Sequence, residues 1–340
     1  MSFGFLDIFF ALFLVAFLFC TRPVSGEDSG FDRDTTASLR GIAMLMIMIH
    51  HVHSRFNGNS PILDPGGYLC VGLFFLISGY GNTLSLNKRK ELKTDWLVNK
   101  LIKLYIPFFV AYWIYYAFLK VLYVERVPSG KEIISDLLTM SLPNKDTWFV
   151  KIILLCFLIH WGAKKIFSDV QKQQIFITVL ILIYIIAARK ILVKPQWYTT
   201  VACYPLGCII ACPRALDKLL KFLREKKAFS FVAFSILTVI ALIAARKVWL
   251  VTMVCPIFFS MACYYYSFNF KTKTNFFSWI GTNSLEFYIF HYIFLQGLEI
   301  IFETNRYVYA LGVVLCTMVT VYLYLFGKGM IEKIIEKVDR

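Results

Sequence analysis

Leu39-Arg40-Gly41-Ile42-Ala43-Met44-Leu45-Met46-Ile47-Met48-Ile49-His50-His51-Val52-His53 is an apolar stretch of helical character with an arginine at its foot and a histidine cluster from ten residues on. At ~1.5 Å of rise per residue, Arg40 and His51 stand about 16 Å apart. If Arg40 sits at one face of a hydrocarbon layer ~30 Å thick, His51 lies past its midplane. Ionisable groups at that depth are destabilising and are kept for function, so the stretch reads as a membrane helix that carries chemistry.

Working outward, the composition supports that class. Of 340 residues, 59% are hydrophobic and 17% aromatic, and the mean hydropathy is +0.65, beyond what a soluble core needs. The expected fold class is all-α, a polytopic transmembrane helix bundle. A net charge of +15 would suit nucleic acid, but Lys and Arg gather in short loops between apolar runs, as topogenic charge does. Membrane lipid is therefore an expected partner and nucleic acid is not. The nine cysteines lie in or beside apolar runs without paired CxxC spacing, so they read as packing residues and no metal site is expected.

Ten core spans are expected near 39–53, 67–86, 104–124, 147–161, 174–188, 197–212, 229–245, 248–267, 280–302 and 307–327, plus one extra N-terminal apolar helix over Phe3 to Cys20. The domain organisation follows: 1–38 an N-terminal apolar helix and polar linker, 39–327 the ten-span membrane domain, 328–340 a basic tail. Residues 3–20 have three readings: a spanning helix, a helix along the surface, or a cleaved leader. The absence of a basic n-region weakens the last, and Val24-Ser25-Gly26 is a passable cleavage site. Roughly two-thirds of the Lys and Arg fall on the face that holds Arg40, Lys100, Lys164, Arg224 and the tail, which predicts that Arg40 and the C-terminus are cytoplasmic.

Orientation gives the polar residues depths. His51 lies eleven residues outward from Arg40 and His291 eleven residues outward from Ile280, in spans running the same way, so the two histidines are predicted at one height. Ser78 is expected there too, while Asn283, Ser284 and Glu286 line the approach to His291. Ser284, Tyr288 and His291 are spaced i, i+4, i+7 and share a helix face. A buried histidine also serves simply to bind one helix to another, and for His160 beside Trp161 that plain reading is preferred. Three histidines within four residues are more than packing needs. Metal binding fits poorly, because His51 and His53 are i, i+2 on a helix. Two uses are left: a general base acting on a hydroxyl, and a proton relay in a proton-coupled transporter or flippase of a glycan or lipid. No internal repeat is evident, which favours the enzyme mildly.

Several stretches resemble one family. Leu39-Arg40-Gly41-Ile42-Ala43 followed by His51 is similar to the first-helix signature of the acyltransferase type 3 family of integral membrane acyltransferases. Phe74-Phe75-Leu76-Ile77-Ser78-Gly79-Tyr80 resembles its Phe-Phe-x-x-Ser-Gly-aromatic motif, and Lys100-Leu101-Ile102-Lys103-Leu104-Tyr105-Ile106-Pro107 its basic-x-x-basic-x-x-x-Pro stretch. Trp148-Phe149 and the run from Gly281 through Ser284 and Tyr288 to His291 complete five motifs in order.

The resemblance implies an enzyme that moves an acyl group, usually acetyl, from cytoplasmic acyl-CoA to a hydroxyl of a glycan or lipid-linked sugar. Acetyl-CoA would be a co-substrate, with no bound cofactor. By position His51 would be the essential histidine and general base, Arg40 its partner toward the CoA phosphates, and His291 the third catalytic residue; His50 falls where the family usually has an aromatic residue. An acyl-histidine intermediate is the covalent alternative to direct transfer. Donor binding is expected at Lys100, Lys103 and Ser78, and acceptor binding at Trp148, Asp146, Lys151 and Glu286. Lys100 and Lys103 stand where the family commonly has arginine, so they lack its bidentate grip on phosphate and read equally as topogenic charge. Trp148 reads equally as an interfacial anchor. The expected location is a bacterial plasma membrane.

Overall fold

The computed structural model describes residues 4–24, 30–56, 60–89, 94–122, 126–143, 147–191, 194–245, 247–272, 274–299 and 306–338. Among these the chain is almost wholly helical, with fourteen α-helices and one two-stranded antiparallel ribbon. The central helix is α2 (Arg33–Ser54). Asp32 caps it, accepting from the Thr35 amide, and Met44, Leu45, Ile47, Met48, Ile49 and Val52 are all buried. Burial around nearly the whole circumference marks a helix surrounded by others.

Among the described residues six helices are long and apolar enough to cross a membrane: α3 (Leu63–Asn87), α4 (Asp95–Leu122), α7 (Val170–Ile191), α10 (Lys227–Ala245), α11 (Trp249–Asn269) and the stretch Tyr307–Ile334 of α14 (Arg306–Val338). Exposed Val232, Ile236, Val239 and Ile243 give α10 an apolar outer stripe, as a lipid-facing helix requires. Helices also occupy the other four expected stretches: α2, α6 (Trp148–Ile166), α8 (Cys203–Ala211), and the pair α12 (Asn275–Thr282) and α13 (Ser284–Gly297). Two further short helices, α5 (Gly130–Thr139) and α9 (Asp217–Glu225), lie outside the expected stretches.

Two stretches depart from the expected uninterrupted spans. The 280–302 stretch is broken at Asn283, whose backbone N–H and side-chain amide both donate to the Trp279 carbonyl, at 3.2 and 2.8 Å, closing the end of α12. The 197–212 stretch yields only the nine residues of α8. Its last carbonyls are satisfied from the neighbouring helix, because Gln174 of α7 donates to Cys208 O and Cys212 O at 2.9 Å each. A short helix is tolerated at depth when protein supplies such partners.

The N-terminal apolar segment forms α1 (Phe5–Phe19), docked beside α2. Its start is held by buried Asp7, which accepts a short hydrogen bond from Ser60, and by Phe5 packed edge-on against Tyr307 at 4.2 Å. Its end leads into β1 (Thr21–Pro23), which pairs with β2 (Phe270–Thr272). The helix thus runs from the level of Ser60 to the level of Thr272, antiparallel to α2.

One close approach sets the position of the site. A Cβ on Gly41 would come within 2.0 Å of the Phe277 carbonyl oxygen, and one on Gly281 within 1.7 Å of the Ala37 oxygen. Only glycine lets α2 and α12 meet backbone to backbone there. Ser38 and Ser278 hydrogen-bond across the same contact at 2.8 Å. With α12 pinned to the foot of α2, α13 climbs alongside α2.

Candidate active site

At the far end of that climb, His51 Nδ1 and His291 Nε2 are 2.8 Å apart, with ring planes inclined by 6°. His291 is fully buried and His51 half-buried. The other nitrogen of His291, Nδ1, lies 3.1 Å from the Phe287 carbonyl oxygen. A carbonyl oxygen only accepts, so Nδ1 of His291 carries the hydrogen. In the neutral ring Nε2 is then the acceptor, and His51 Nδ1 must donate to it. The lone pair of His51 is thereby assigned to Nε2, the nitrogen that faces the Tyr292 hydroxyl at 3.4 Å. A histidine held in one tautomer with its outer nitrogen basic is the arrangement a general base requires.

The neighbouring histidines do other work. His50 Nδ1 donates to the Leu63 carbonyl at 2.7 Å and so fastens α2 to the start of α3, while His53 Nε2 stands 3.3 Å from Asp64 Oδ1. His160 Nδ1 meets the Tyr204 hydroxyl at 2.9 Å, and that hydroxyl also accepts from Asn82 at 3.1 Å.

Below the histidine pair lies a cavity of about 260 Å³. Arg40, Met44 and Ile47 line it from α2, and His51 is the next residue on that same face, at i, i+4, i+7 and i+11. Ser284 and Tyr288 line it from α13, and His291 continues their stripe in the same way. Two lining stripes on two helices therefore run on into the two histidines. The end away from them is cationic, with Arg40, Lys100, Lys103 and Ser78, whereas the walls nearer them are apolar, with Phe74, Phe149 and Ile153. Among the described residues none of the three cations has a carboxylate partner. The Arg40 Nε is buried without a hydrogen-bond partner there, and Lys100 Nζ rests 5.1 Å from the Phe157 ring. Three uncompensated cations around one end of a cavity suit a multiply charged anion such as a phosphate ester.

Ser78 is not at the depth expected for it. The helix α3 begins at Leu63, earlier than the sequence pattern indicates, and runs antiparallel to α2, with Gly67 against the His50 ring. Eleven residues beyond Gly67 puts Ser78 about 16 Å toward the Arg40 end, among the cations and away from His51.

The expected acceptor residues are only partly gathered. Trp148 opens α6 beside Phe149 of the cavity wall, with ring centroids 6.1 Å apart, and Lys151 donates to Ser141 Oγ at 2.8 Å while its ammonium lies 5.9 Å over Trp197. Asp146 lies outside the described residues. Glu286 is not brought to this group. On α13 it projects about 160° away from the Tyr288 direction, and Lys328 and Tyr324 of α14 are its electrostatic neighbours. Tyr292 is the residue beside the histidines for which sequence reasoning had no signal.

The acyltransferase domain model of the acyltransferase type 3 family matches residues 38–325, most of the chain. The chain belongs to that family of membrane acyltransferases. No curated protein and no solved structure gives a match to it.

Proposed function

We propose that the chain is an O-acyltransferase that takes an acyl group, acetyl in the first instance, from cytoplasmic acyl-CoA and places it on a hydroxyl of a glycan or lipid-linked sugar. The observation that carries this reading is the pairing of His51 and His291 at 2.8 Å, one helical turn beyond Ile47 and Tyr288 of the cavity that Arg40, Lys100 and Lys103 also line. The phosphates of CoA would rest on those cations at the cytoplasmic end, and the pantetheine arm, of comparable length, would follow the apolar walls toward His51. Trp148 and Lys151, near the opposite end of α6, would form part of the acceptor's approach.

In the proposed step His51 Nε2 removes the proton of the acceptor hydroxyl as its oxygen adds to the thioester carbonyl carbon. The tetrahedral intermediate then expels the CoA sulfur, breaking the C–S bond, and the thiolate takes the proton back from His51. His291 accepts a hydrogen bond from His51 Nδ1 throughout, so it holds the tautomer and stabilises the imidazolium. Orientation rests on the basic loops beside Arg40.

The test is to incubate membranes containing the protein with labelled acetyl-CoA and to analyse surface glycans and lipids by mass. A labelled O-acetyl product that requires the protein is expected. Purified protein that neither binds nor hydrolyses acyl-CoA, in membranes that yield no labelled product, would instead favour a proton-coupled carrier using the same histidines.

A further inference from the structure

We propose that Tyr292 is a catalytic residue, whose hydroxyl donates a hydrogen bond to the oxyanion formed when the acceptor oxygen adds to the thioester carbonyl. This rests on the acyl-transfer reading of His51 given above.

The hydroxyl of Tyr292 lies 3.4 Å from His51 Nε2, the nitrogen that the hydrogen-bond chain from Phe287 through His291 leaves as the base. A hydroxyl deprotonated by that nitrogen must come within ~2.6–3.2 Å of it, and the carbonyl it attacks is a bond length further on. An O–H already beside Nε2 is thus next to the place where negative charge develops on the carbonyl oxygen.

The phenol is held for that purpose. Tyr292 is 3% exposed, its ring packs on His291 with centroids 4.2 Å apart, and it meets Tyr288 edge to face at 90°. Fixed donors aimed at developing charge are the larger part of catalysis in acyl transfer. The cations cannot serve here, because Arg40 is eleven residues down α2 from His51, about 16 Å by helical rise. Ser284, at the start of α13, is seven residues down from His291, about 10 Å. The Tyr292 proton stays on its oxygen throughout, so the balance of the transfer step is unchanged: one O–C bond forms, one C–S bond breaks, and one proton passes from acceptor to thiolate by way of His51.

The experiment compares Tyr292→Phe, Tyr288→Phe and His51→Ala in the full-length protein, with labelled acetyl-CoA as donor and native membranes as acceptor source. Turnover, the acetyl-CoA KM, CoA binding and the melting temperature are measured for each. The expected result is an inactive His51→Ala, and a Tyr292→Phe whose kcat falls ~100-fold while KM, CoA binding and melting temperature hold. A Tyr292→Phe within threefold of the native kcat, beside an inactive His51→Ala, would overturn the role of Tyr292 and leave the acyltransferase reading standing. So would a kcat loss matched by lost CoA binding or a lowered melting temperature, or a loss shown by Tyr288→Phe and not by Tyr292→Phe. A fully active His51→Ala would remove the reading itself, and this inference with it.

Discussion

Two histidines, His51 and His160, each make a short ring-nitrogen contact across helices, at 2.8 Å to His291 and 2.9 Å to Tyr204. Both follow the faces that line the cavity, His51 one turn past Ile47 and His160 one turn past Phe157. They differ in what their partners leave them to do. His160 is 2% exposed and sits in a sealed network in which Tyr204 also takes Asn82, and Cys208 donates to the Gly79 carbonyl, binding α6, α8 and α3 together. His51 is half-buried, and its partner is oriented by a backbone carbonyl so that the basic lone pair of His51 points outward to Nε2. A short contact across helices does not by itself separate the base of the proposed step from a packing histidine. The hydrogen-bond direction inherited from the partner does.

The strongest way to break that contrast is His51→Ala, for which we expect transfer to fall by ~1,000-fold or more, with the protein still folded and still binding acyl-CoA. Next is His291→Ala, expected to lower kcat ~100-fold by releasing the His51 tautomer; His291→Gln, whose amide oxygen can accept from Nδ1, should recover part of it. Smaller again is Arg40→Gln, expected to raise the acyl-CoA KM about tenfold with kcat little changed, since it removes binding far from the reacting carbon. The least effect on turnover is expected for His160→Gln, within about threefold in kcat, together with a stability loss of about 1–3 kcal/mol from the disturbed buried network. A His160 variant that lost turnover as His51→Ala does, without unfolding, would erase the distinction between the two histidines.

The helical frame was legible because apolar runs of this length have few other solutions, and the Arg40-to-His51 spacing is a property of one helix. The common height of His51 and His291 followed from counting along two helices that run the same way. The interlock of Gly41 with Gly281 turned that height into contact, and it depends on which helices are neighbours, which no single-helix count contains. Ser78 stands away from its expected depth for a related reason: that depth depends on where α3 begins and on its antiparallel register with α2. Glu286 is a different case, because the face shared by Ser284, Tyr288 and His291 already excludes a residue about 160° from Tyr288. Tyr292 follows His291 directly and so stands ~100° off the stripe that helical periodicity selects. Its relevance depends on the fold of its ring over His291, which only the packed structure supplies.

In the proposed reaction His51 and His291 act as one unit, a helical turn beyond the cationic cavity. The most direct measurement is a double-mutant cycle on labelled acetyl transfer, comparing His51→Ala, His291→Ala and the double variant at equal folded concentration. Groups that act together are strongly non-additive, so the double variant is expected to be no slower than His51→Ala alone. A double variant slowed by the product of the two single effects would show that the histidines act independently and that the pair is not one catalytic unit.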